Sequence, residues 1–179
     1  MTAPTPWERL RSMLRLDGSV SSEPALPNLT LDGFATWAEA QGLAVERTSE
    51  AQASDPPGQG EAKRREAAAE LVLEASGERP LGHVECYCTA VADGVVGVDV
   101  AVTGSPPASA EQLVAFLLEP VSPALSDEDR GTLQAWLATR LDHPVPYRAA
   151  TTVAATQVAL LVEDAGRDGQ TWALAARGR

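Results

Sequence analysis

Between residues 69 and 102 the chain alternates apolar and polar side chains over three successive windows. Leu71, Leu73 and Ala75 alternate with Glu70, Glu74 and Ser76. Val84, Cys86, Cys88 and Ala90 alternate with His83, Glu85, Tyr87 and Thr89, and Val96, Val98, Val100 and Val102 follow in the same rhythm. A period of two places alternate side chains on opposite faces of an extended chain. Turn residues interrupt the pattern at 77–82 and at Asp93-Gly94, which divides it into three consecutive strands of an antiparallel meander. Whatever else the chain forms must pack against that sheet.

The flanking segments carry helical spacing. Thr30 stands as an N-cap before Leu31, Phe34, Trp37 and Ala38, with Asp32 in the first turn and Gly42 at the end. A short strand over 43–48 follows, with Leu43 and Val45 facing the core. Ser109 with Gln112 forms a capping box for a helix burying Leu113, Phe116 and Leu117, stopped by Pro120 and Pro123. Ser126, followed by Asp127, Glu128 and Asp129, opens another that buries Leu133, Trp136, Leu137 and Leu141. After the extended run 143–147, a closing hairpin is expected over 151–163 and 171–176, turning through 164–169. The order lacks a βαβ rhythm. It predicts an α+β fold: a single domain with a mostly antiparallel sheet of about five to six strands and helices packed on one face.

Ahead of this domain, residues 1–28 read as an amphipathic helix and linker. Residues 7–16 place Trp7, Leu10 and Met13/Leu14 on one side, with Arg9, Arg11 and Arg15 around them. Residues 29–179 form the α+β domain. The Pro- and Gly-rich segment 50–60 reads as a mobile loop. Residues 61–70 combine helix propensity with an extended lead-in to the next strand and fit either state.

Composition narrows the function classes. A net charge of −11 opposes binding to nucleic-acid phosphates. No apolar run reaches the roughly 18–20 residues that span a bilayer, and the N-terminus lacks the apolar stretch of a secretory signal. A cytoplasmic location is therefore expected. One lysine among 14 basic residues, with abundant Ala, Gly and Pro, points to a G+C-rich bacterial genome.

The residues with chemical potential gather in His83-Val84-Glu85-Cys86-Tyr87-Cys88. His and Cys are zinc ligands, and H-x-E occurs in zinc deaminases, but the accompanying P-C-x-x-C is missing. In a strand, His83 and Glu85 face one way and both cysteines the other, so a shared metal is not expected. His143, flanked by Pro144, would reach either cysteine only through folding. No nucleophile elbow, P-loop or dinucleotide fingerprint is present. The reading is a chain with no catalytic residue, metal or cofactor that binds another protein or a second copy of itself. The expected surface is the polar stripe His83, Glu85, Tyr87 and Thr89, with Trp7 and Leu10 of the N-terminal helix. The alternative is a small-molecule-binding protein or a thiol- or metal-dependent enzyme centred on His83, Cys86, Cys88 and His143.

Over residues 29–176 the order of helix, strands, helices and strands resembles, in topology, small bacterial secretion-chaperone-like domains. The likeness implies a curved antiparallel sheet with flanking helices that dimerises and binds another protein. No diagnostic motif accompanies it.

Overall fold

A computed structural model describes residues 25–50, 70–91, 94–107 and 110–178. Residues 7–16, the segment 51–69 and Ser109 lie outside the described residues, as do the expectations that fall on them. The Thr30 hydroxyl accepts a hydrogen bond from the Gly33 amide at 3.0 Å, starting α1 (Leu31–Ala40). The strands β1 (Ala44–Glu50), β2 (Glu70–Arg79), β3 (Gly82–Val91) and β4 (Gly94–Gly104) follow. Two helices come next, α2 (Ala110–Leu118) and α3 (Asp127–Ala138). The chain ends with β5 (Tyr147–Val153), β6 (Thr156–Asp164) and β7 (Gln170–Gly178).

All seven strands join one antiparallel sheet in the order β1-β2-β3-β4-β7-β6-β5. Two meanders meet where β4 pairs with β7. The fold is the α+β domain that the pattern predicts, with seven strands instead of five or six. The additional strand arises within 147–163, where the chain turns at Ala154-Ala155. Ala154 takes a φ of 51°, and no glycine, proline, asparagine or aspartate announces the turn.

The three described helices cover one face of the sheet. Beneath them lie Leu73, Val84, Cys86, Cys88, Val98, Val100, Val158, Leu160, Trp172 and Leu174, together with Leu113, Leu117, Leu133 and Leu137 from the helices. Trp37 joins α1 to α2, with its ring centroid 5.7 Å from Phe34 and 5.8 Å from Phe116. Leu26, read from sequence as linker, is buried in the same core, and its amide donates to the Val95 carbonyl at 2.7 Å.

One register detail departs from simple alternation. Ala90 pairs with Val95 while Thr89 pairs with Gly97, so Val96 is the extra residue of a β-bulge. Val95, not Val96, therefore lies with the helix-side core.

Candidate functional site

The polar stripe of β3 lies on the sheet face opposite the described helices, and it is not uniformly open. His83 and Glu85 are half-buried at one end. The Nδ1 of His83 forms a 2.7 Å hydrogen bond with Oε1 of Glu78, and its Nε2 lies 3.6 Å from Oε1 of Glu85. Tyr87 donates its hydroxyl to Oε1 of Glu74 at 3.3 Å. Thr89, at the other end, is buried. Trp7 and Leu10 fall outside the described residues.

Next to this stripe the structure places a pair that sequence reasoning missed. Asp99 of β4 and Arg177 of β7 are directed to the same face and are buried. The guanidinium donates from Nη2 to Oδ2 at 3.0 Å, and its Nη1 lies 2.9 Å from Oδ1, so a close ion pair offsets the loss of hydration of both buried charges. Arg177 also donates to the Ala176 carbonyl at 2.9 Å. Gly97 makes room for it: a Cβ there would stand 2.5–2.9 Å from the guanidinium. An aspartate amid the valines of β4 is the sequence signal that something must compensate a buried charge. Its partner lies 78 residues away, and no local pattern identifies it.

The same face carries a low apolar floor of Ala101, Ala159, Leu161, Ala173 and Ala175, with Tyr87 at its side. Ala159, Leu161, Ala173 and Ala175 have no exposed surface, and Ala101 retains 5%. No residue of α1, α2 or α3 belongs to this cluster.

Cys86 and Cys88 sit on the opposite, helix-covered face, both reduced and buried. Burial is the main cause that pushes both thiols up, and the nearby Asp99 carboxylate adds to it. Glu85 contributes at Cys86, while Arg177 partly opposes the shift at Cys88, which reaches about 12. At neutral pH neither is a thiolate, the form that attacks electrophiles or binds metal. His83 therefore lies across the sheet from the thiols.

His143 stands in the loop after α3, stacked on Tyr147 with ring centroids 4.3 Å apart and planes 5° from parallel. It lines an open cleft of about 390 Å³ with Asp142, Gln170, Trp172 and Leu113. His143, His83 and the two cysteines are thus spread over a loop and two sheet faces. Among the described residues, no three His, Cys, Asp or Glu side chains are grouped to hold a metal ion.

The edge strand β5 is the remaining surface of note. It pairs with β6 over seven consecutive residues without a bulge. Arg148, Ala150 and Thr152 are exposed along it, and its seven residues include a single charged side chain and no proline. The other edge, β1, carries the exposed Glu46 and Arg47. Charges of this kind discourage strand addition. Comparison with models of known families, with curated proteins and with solved structures finds no match.

Proposed function

We propose that this chain is a non-catalytic, cytoplasmic bacterial protein-interaction domain that binds by adding a strand at β5, and that the partner this edge fits is a second copy. The carrying observation is the regular, exposed β5 edge. An edge strand presents unpaired amide and carbonyl groups to any chain that can lie beside it.

Two copies of β5 running antiparallel about Ala150 would place Tyr147 opposite Val153 and Arg148 opposite Thr152. The first is an aromatic–β-branched pair, worth about 0.2–1 kcal/mol relative to two alanines. The second keeps the two arginines from meeting. Such an interface is self-complementary, as a two-fold dimer requires.

Native mass spectrometry over a concentration series tests the reading. Wild type is expected to be a dimer that dissociates on dilution. Ala150→Lys sets two ammonium groups directly opposite each other at an exposed position, so it should leave a folded monomer. Ala115→Lys, an exposed site on α2, should remain dimeric. A wild type that is monomeric at every concentration, or an Ala150→Lys dimer as tight as the Ala115→Lys one, overturns the proposal.

A further inference from the structure

The cleft beside His143 has the make-up of a ligand site, and neither the β5 edge nor the polar stripe of β3 uses it. Its volume of about 390 Å³ falls within the roughly 300–1,000 Å³ of small-molecule pockets. We propose that this cleft binds a small planar aromatic cation, an amine carried on one ring or two fused rings.

The lining divides by chemistry. Leu113, Leu141 and Trp172 belong to the buried helix-side core and form the apolar wall. An indole in that wall favours an aromatic ring beyond the area it buries. His143 is exposed, and Tyr147 stacks on one face of its imidazole with centroids 4.3 Å apart. The stack holds the imidazole in one orientation and leaves its other face for a flat ligand. Gln170 adds an amide that can both donate and accept.

Charge selects the sign of the ligand. Among the described residues that line the cleft, Asp142 carries a carboxylate, and there is no lysine or arginine. The nearby Arg140 is turned to other work: its guanidinium lies 4.6 Å from the Trp136 ring centroid and donates to the Trp136 carbonyl at 3.0 Å. The net charge of −11 raises the local concentration of cations and opposes anions.

The sheet holds the cleft in shape. Gly169 takes a φ of 96°, and a Cβ there would run into the Gly104 carbonyl. This backbone contact sets the turn before Gln170 against the start of segment 105–107, and Gln170 and Pro106 line the same cleft. A pocket already formed spares its ligand the cost of ordering a loop.

The test follows the indole N–H signals of the full chain by NMR, with Trp172 assigned through Trp172→Phe. The probes are tryptamine, indolepropionate, which reverses the charge, and cyclohexylethylamine, which keeps the amine without the aromatic ring. Tryptamine is expected to shift the Trp172 signal saturably, and each of the other two to bind several-fold more weakly. Asp142→Asn should weaken tryptamine about two- to five-fold, the range for an exposed charge. Asp142→Asn/His143→Ala should weaken it further with the sheet signal in circular dichroism kept, because both side chains are exposed. The absence of a saturable Trp172 shift overturns the proposal. So does equal binding of either comparison probe, or tryptamine binding to the double variant as tightly as to wild type. All lining residues come from one copy, so the readout does not depend on β5 pairing.

Discussion

Gly97 and Gly131 show how one residue type serves opposite ends in this fold. The space above Gly97 is where the Arg177 guanidinium lies on its way to Asp99. A methyl group there must displace the arginine from a buried pair. Gly97→Ala is expected to lower unfolding stability by about 1–3 kcal/mol, the usual range for overpacking. Gly131, inside α3, has nothing within 4 Å of a would-be Cβ. Its cost is backbone entropy alone, so Gly131→Ala should raise stability by about 0.5–1 kcal/mol. Urea unfolding of the two variants beside wild type checks both signs. A Gly97→Ala variant as stable as wild type would mean that the Arg177–Asp99 geometry does not depend on the space above Gly97.

Among the elements, α3 has the clearest local instructions. Ser126 accepts from the Asp129 amide at 3.1 Å and donates its hydroxyl to the Asp129 carboxylate at 2.7 Å. Three acidic residues fill the first turn, where the helix dipole favours them. At the other end the Arg140 guanidinium lies 4.6 Å from the Trp136 ring centroid. Ser126→Ala leaves the Asp129 amide without its cap and should cost about 1 kcal/mol, measurable as a lower urea midpoint with an unchanged slope. The strands were equally legible where alternation and turn chemistry agreed, as from β2 to β4. The pattern failed at Ala154-Ala155, because a residue with positive φ and no favourable side chain holds the turn. It failed again at Val96, because a bulge is a property of two paired strands and leaves no mark on one of them.

Across the whole molecule, the thiols report the integrity of the core. Cys86 and Cys88 lie under the helices, and both are held above the ordinary thiol range near 8.5. Below that range both the folded and the unfolded chain keep the proton, and these groups add no pH dependence. Above it the unfolded chain releases protons that the folded chain retains, so stability falls as pH rises. The slope approaches about 1.4 kcal/mol per pH unit for each thiol and persists toward about 12 for Cys88. Urea unfolding at pH 7.5 and pH 10 should therefore show a larger loss for wild type than for Cys86→Ala/Cys88→Ala. Equal losses would mean that the thiols are not protected from solvent in the folded state. The net charge of −11 acts at this scale too, opposing association of two copies, so the contacts along β5 must outweigh it.

What the sequence determined by itself is what depends on neighbours along the chain. It specified the meander, the Thr30 and Ser126 caps, the opposite facing of His83 and the cysteines, and the α+β class, because alternation and capping act within a few residues. Tertiary structure decided what depends on distant strands meeting. Joining β4 to β7 turned two meanders into one seven-stranded sheet. It also brought Asp99 to Arg177 and assembled the floor of Ala101, Ala159, Ala173 and Ala175 from three strands. It left β5 as an edge strand of the sheet, paired with β6 without a bulge. These contacts depend on long-range pairing, and that information lies in how the surfaces fit together, not in any one stretch of the chain.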